Sequence, residues 1–166
     1  MSAVEFALVL PLLVMLLFGV TTAGLAYNDN LSISNAVREG ARLGAALDYS
    51  ANPTAWANSV QQRVQQVYFN AGSSLSLSQI CVELDAAPGS TNTMTGLPAV
   101  PTTQGSSCGT APALPTNMAP NSCAVRVWVQ KPATISLIVF PDYSFNIAAQ
   151  SVSYYGRSVQ NGCQSS

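Results

Sequence analysis

The opening stretch, residues 3–27, AVEFALVLPLLVMLLFGVTTAGLAY, limits more than any other feature what this chain can become. Its apolar run is long enough to cross a hydrocarbon core, which takes about 20 residues. A secretory signal peptide is the competing reading, and it requires a basic n-region, a short apolar run and a small-residue cleavage site. No basic residue precedes this run, no Ala-x-Ala site follows it cleanly, and the run is too long. A retained membrane helix is therefore the expectation.

The helical pattern does not end with the apolar run. Ile33, Val37, Ala41 and Gly44 form a narrow apolar stripe at helical spacing, with Arg38, Glu39 and Arg42 facing elsewhere. The spacing predicts one helix over about 3–47, roughly 65 Å long. Its membrane half is 3–27, with a kink or local unwinding at 7–11 from Pro11. Gly19 and Gly24 suit close approach by other helices, and equally well are ordinary membrane-helix glycines. A helix twice as long as a bilayer is thick suits a spine with a head packed on its distal part.

Asn52-Pro53 reads as an N-cap followed by proline at the first helical position. A second, amphipathic helix is predicted over about 53–70, with Trp56, Val60, Val64 and Val67 on one face and Gly72 as its stop. Strands are then expected at 75–84, at 124–131 up to a break at Pro132, at 135–140 and at 143–155, the last three as an antiparallel meander. In the second of these, Val125, Val127 and Val129 share one face and Arg126 and Trp128 the other. The fold class is α+β: a spine over 1–50, and a head over 51–166 with a long uncharged loop at 86–122. That loop holds 6 prolines, 4 glycines and 11 serines or threonines and shows no periodicity.

Charged residues make up only 8% of the 166-residue chain, the net charge is −1 and there is no histidine. Such a chain has no electrostatic grip on nucleic acid. It also lacks the commonest general base and the commonest metal ligand. No cofactor or metal is expected. The four cysteines, Cys81, Cys108, Cys123 and Cys163, contain no CxxC pair. They read as two disulfides in an oxidising, extracytoplasmic compartment. Three pairings are open, and the preferred one joins Cys108 to Cys123 across the loop and Cys81 to Cys163 at the C-terminus.

Glu5 is the only charge from residue 1 to residue 28. An ionised acid in hydrocarbon costs about 2.5–3.5 kcal/mol at mid-bilayer and less near an end. The bland reading is that Glu5 reaches the headgroups. The functional one is a cationic partner, and the nearest cation is an α-amino terminus, its own or that of another copy. Intermolecular pairing of that kind would set axial register in a stack of helices.

At these residues the sequence resembles the type IV pilins and pseudopilins, which carry a glutamate at the fifth position of the mature chain. Ala3-Val4-Glu5-Phe6-Ala7-Leu8 with Pro11, together with residues 35–46, NAVREGARLGAA, resembles the TadE-like branch of the tight-adherence (Tad) pilus system. The resemblance covers about the first 47 residues, and the long uncharged loop departs from the family. It implies a prepilin whose short basic leader is cut by a membrane-embedded prepilin peptidase, so that Met1 is the mature N-terminus. It implies single-pass anchoring in the cytoplasmic membrane, then extraction by an ATP-driven machine into an extracellular filament. Met1, Glu5, Phe6 and Pro11 become the assembly residues of a homo-oligomeric helical fibre.

Two pilin roles remain open, the repeating unit of an attachment fibre and a minor pseudopilin that initiates or caps one. A membrane-anchored adhesin without polymerisation is a third reading, with 86–122 as its binding surface. An enzyme is the fourth and is disfavoured, for there is no nucleophile elbow and no phosphate-cradling glycine motif. Glu83 and Asp85 form the one candidate carboxylate pair, and a solvated strand end explains them better. Arg38, Glu39 and Arg42 suit a solvated helix face, and Trp56 and Trp128 suit a core rather than a sugar platform.

Overall fold

The computed structural model describes residues 2–49, 52–72, 74–86, 108, 113–118, 122–137 and 140–156. Met1, Cys163 and most of the uncharged loop lie outside the described residues. The chain is α+β: among the described residues two α-helices lie against one face of a three-stranded antiparallel sheet.

Helix α1 spans Ser2–Ala46 and runs through Pro11 without interruption. The unwinding expected around Pro11 is not seen, because proline removes a single hydrogen bond and the turns on either side keep theirs. The N-terminal half of α1 touches little of the protein. Phe6, Leu12, Leu16, Val20 and Leu25 are all exposed. The hydroxyls of Thr21 and Thr22 donate back to the carbonyls of Leu17 and Phe18 at 2.8 Å, so neither needs water. From Ile33 onward the helix has a buried face: Ile33, Ala36, Val37, Gly40, Ala41 and Gly44.

Helix α2 spans Pro53–Asn70. Asn52 caps it as expected, its Oδ1 accepting from the Ala55 amide at 3.0 Å. Trp56, Val60, Val64 and Tyr68 form the buried stripe, and Val67 lies half-buried at its margin. The chain leaves the helix through Gly72, whose φ of 85° suits a residue without Cβ. The two helices run antiparallel. Gly44 abuts Trp56 and Val60, Gly40 abuts Val64, and Asp29 meets Tyr68 lower down.

The strands are β1 (Ile80–Ala86), β2 (Cys123–Leu137) and β3 (Phe140–Tyr155), in the order β1-β2-β3. The inner face presents Ile80, Val82 and Leu84 from β1, Val125, Val127 and Val129 from β2, and Ile147, Ala149 and Tyr155 from β3 to the helices. The outer face carries Cys81, Glu83 and Asp85 opposite Trp128, Arg126 and Ala124.

Two expectations about the sheet need correction. The segment 75–79 is not strand, since a 3-10 turn at Leu77–Gln79 precedes β1. Pro132 also does not break the sheet: β2 continues through it to Leu137, so the expected strand 124–131 and the start of the expected strand 135–140 are one strand, while Phe140 already opens β3 and 138–139 lie outside the described residues. Proline is excluded from a strand flanked on both sides, but β1 ends at Ile80 opposite Val129. At Pro132 β2 pairs with β3 through Asn146, and among the described residues no strand pairs with its other edge, where a missing N–H would matter. Beyond Val129 the described part of the sheet is a two-stranded ribbon, in which Leu137 pairs with Phe140.

The preferred disulfide pairing is also overturned. Cys81 is bonded to Cys108, with Cα atoms 5.8 Å apart, and Cys123 is disulfide-bonded as well. The sheet explains why Cys108 does not pair with Cys123. Cys81 lies on the outer face with Trp128 and Cys108, whereas Cys123 lies in the helix-facing core.

Candidate assembly surface

Three surfaces follow from this architecture. The first is the bare half of α1. It is the one helix among the described residues long and apolar enough to cross a membrane. Glu5 and Pro11 lie on this exposed stretch with Phe6, which is 68% exposed. Gly19 and Gly24 have open space where a Cβ would stand. Glu5 makes no ion pair among the described residues, and Met1 lies outside them.

The second surface is the junction where the bare helix meets the head. Asp29 is the first charge above Glu5 and sits in a three-way polar clamp. Tyr68 of α2 donates its hydroxyl to Asp29 Oδ1. Lys131 of β2 donates to Asp29 Oδ2 at 3.2 Å and to the Tyr68 hydroxyl at 2.7 Å. Burial works to lower the Lys131 pKa, but the hydrogen bonds to Tyr68 and Asp29 outweigh it and hold the ammonium above its ordinary range. One side chain from each of α1, α2 and β2 is therefore fixed at one level. Just below lies a cleft between α1 and the ribbon, lined by Thr22, Leu25, Ala26, Ala133 and Phe145.

Higher on the spine, Glu39 accepts from Arg63 of α2 at 2.9 Å and pairs with Arg42 at 3.5 Å. The Arg63 hydrogen bond keeps its carboxyl below the usual range. The top of α1 is closed by Tyr155, whose hydroxyl donates to the Leu47 carbonyl at 3.0 Å and accepts from the Tyr49 amide at 2.9 Å. The Trp56 indole donates to the Gly44 carbonyl at 2.9 Å and stacks edge-on against Tyr49. Trp56 and Trp128 are both buried, in keeping with core roles.

The third surface is the outer face of the sheet. Cys108 is drawn onto it by the disulfide, and the Trp128 indole donates to the Cys108 carbonyl at 2.6 Å. Cys108, the described residue of the uncharged loop at this place, thereby sits over a tryptophan. Beside it, Arg126 binds Glu83 at 2.8 Å and also Asp85. The carboxylate pair weighed as an acid–base couple is thus engaged by one guanidinium. It is also half-buried rather than a solvated strand end. Burial, and then repulsion from Asp85, push the Glu83 pKa up against the pull of Arg126.

Sequence reasoning missed the Asp29–Tyr68–Lys131 clamp and Gly40. The signals were present: Asp29 is the first charge after the apolar run, Lys131 is the last before Pro132, and Ala36, Gly40 and Gly44 repeat every four residues.

Residues 1–42 match the family model of TadE-like proteins, so most of α1 is similar to that family. The match covers most of α1 and ends before α2 and the sheet. No curated protein and no solved structure matches the chain.

Proposed function

We propose that this chain is a structural subunit of a Tad-type pilus. The membrane holds it by α1 until assembly, and it then polymerises through the same helix with its head outermost, serving surface attachment. One observation carries the reading: the N-terminal half of a TadE-like helix is apolar around its circumference and unpacked by its own head. Lipid satisfies that surface before assembly, and helices of other copies satisfy it afterwards. Gly19 and Gly24 leave room for such helices.

Glu5 has no cationic residue within reach on its own helix, where Arg38 is the first. Its partner in the polymer is the α-amine of Met1 on a neighbouring copy, which places subunits in register. A prepilin peptidase and an ATP-driven assembly machine are the partners this life cycle requires.

Glu5→Ala tests the reading. The chain should remain in the membrane fraction while surface fibres are lost; normal fibre number and length would refute the pairing. Recovery of the chain as the main band of sheared fibres supports the repeating-unit role. Confinement to traces in fibres built from a smaller pilin would make it an initiating or capping subunit.

A further inference from the structure

Two carboxylates bracket the apolar half of α1. Glu5 and Asp29 are the first two charges of the helix, which runs unbroken between them. Twenty-four residues separate them, about 36 Å of helix. The hydrocarbon core of a bilayer is about 30 Å thick. With α1 across it, each acid falls just outside one edge, where a carboxylate is tolerated. Tyr27, 66% exposed, then stands at the outer edge, the level at which tyrosine collects in membrane helices.

The head cannot stand clear of that edge. The Asp29–Tyr68–Lys131 clamp holds α2 and β2 level with Asp29. The next pair on the same face of the ribbon after Lys131 and Ile147 is Ala133 with Phe145. These two form one wall of a cleft of about 500 Å³, and Thr22, Leu25 and Ala26 of α1 form another. The helix positions lie three to seven residues on the N-terminal side of Asp29, about 5–10 Å. The cleft is therefore at, and just inside, the outer edge of the hydrocarbon. Its chemistry suits that depth. Of these five side chains only Thr22 is polar, and its hydroxyl is spent on the Phe18 carbonyl. The rim at Asn28 and Asp29 is polar.

We infer that this cleft holds an acyl chain of an outer-leaflet phospholipid while α1 spans the bilayer. Water at this depth finds no partner among the five side chains, and an empty cleft would forfeit the dispersion contacts of its walls. A hydrocarbon chain supplies those contacts, and the polar rim leaves its headgroup at the level of Asp29. Asp29 and Lys131 neutralise each other there, so the site selects the chain and not the charge of the headgroup. The lipid fills the space between α1 and the ribbon, and the head is seated on the outer leaflet beside its own anchor.

The inference rests on the membrane-spanning role proposed for α1, and one experiment separates the two. The full chain is reconstituted at high dilution in phosphatidylcholine vesicles with brominated acyl chains, which quench nearby indoles. One preparation carries the bromines near the carbonyl end, the other near the methyl end. Added tryptophans at Phe145→Trp, Leu13→Trp and Tyr154→Trp are read against the native Trp56 and Trp128, both buried in the head. Phe145→Trp should lose more than half of its added fluorescence to the shallow bromines, and Leu13→Trp to the deep ones. Tyr154→Trp, close to the Tyr155 contact at the top of α1, should keep its signal. Ala133→Trp gives the same reading from the facing strand if Phe145→Trp does not fold. Ala26→Phe, which fills the cleft from the helix side, should at least halve the quenching of Phe145→Trp and leave that of Leu13→Trp unchanged. No effect of Ala26→Phe would put the lipid around the ribbon and overturn the site. Quenching of Leu13→Trp without either cleft probe overturns the site and leaves the anchor standing. Failure of all probes overturns the anchor with it. A cleft probe that is quenched only when anionic phosphatidylglycerol is added overturns selection by the chain. One that stays unquenched and turns blue only at high protein density is covered by a second copy, which overturns the lipid site as well.

Discussion

Gly40 of α1 stands so close to Val64 of α2 that a Cβ at Gly40 would overlap the Val64 Cγ2 methyl. The helices meet at a place where one of them has no side chain, and Gly44, four residues on, repeats the arrangement against Val125, Val60 and Trp56. Gly40→Ala should therefore destabilise the head although alanine favours helix. Overpacking costs about 1–3 kcal/mol, against about 1 kcal/mol gained in propensity. Thermal unfolding of the full chain in detergent should show a lower midpoint, with a larger fall for Gly40→Val. An unchanged or raised midpoint in both would mean that the helices separate without loss.

Trp128 reports on the Cys81–Cys108 bond. It is 3% exposed, clustered with Cys81 and Cys108, and its indole donates to the Cys108 carbonyl. Removing the bond with Cys81→Ala/Cys108→Ala opens a loop that spans 27 residues, at an expected loss of about 2–4 kcal/mol. Tryptophan emission should shift to the red in the folded variant, because Trp128 gains water while Trp56 stays in the helix-facing core. Emission identical to the parent chain would show that the loop covers Trp128 unaided.

What the sequence disclosed followed from periodicity. Ile33, Val37, Ala41 and Gly44 repeat at the helical period, and Val125, Val127 and Val129 at the strand period; both stripes are buried. The Asn52-Pro53 cap was equally local. Pro132 misled because the rule for proline in strands depends on whether both edges are paired, and the end of β1 at Ile80 is a tertiary fact. The disulfide was hidden for a similar reason. Which face Cys81 and Cys123 occupy depends on the register of β1 with β2, and no local pattern encodes it. The clamp joins residues up to 102 positions apart, beyond the range of any periodicity.

Glu83 carries a cost at neutral pH. Its folded pKa is raised from 4.5, chiefly by burial and by Asp85, so the folded chain favours its protonated form. The contribution of that protonated form is fully present below pH 4.5 and is lost as pH rises through the higher folded value. Glu83→Gln should therefore raise the denaturant midpoint at pH 7, where Asp85 still pairs with Arg126, and should weaken the pH dependence between 4 and 7. The opposite result, a clear loss at pH 7, would make the Glu83–Arg126 bond a net stabiliser. Asp85→Asn in parallel should relieve Glu83 of like-charge repulsion and lower its titration midpoint by NMR.

Lys131 predicts behaviour at the alkaline end. Its folded pKa is raised above 10.5 through Tyr68 and Asp29 despite burial. The stability this contributes is complete below pH 10.5 and disappears as pH rises through the folded value. Tyr49, raised from 10.0 by burial and by Tyr155, adds loss in the same direction. Lys131→Met should lower stability at pH 8 by about 1.5–3 kcal/mol, the range for hydrogen bonds to charged groups, and toward the lower end because the amine is partly exposed. The variant should also lose less than the parent chain between pH 9 and 11. Urea titrations at those pH values distinguish the cases: equal alkaline losses in both chains would place the titrating group elsewhere. Tyr68→Phe should reproduce part of the loss at pH 8 while keeping the Asp29–Lys131 pair. If Tyr68→Phe equals Lys131→Met, the phenol rather than the ion pair holds α1, α2 and β2 together at the junction.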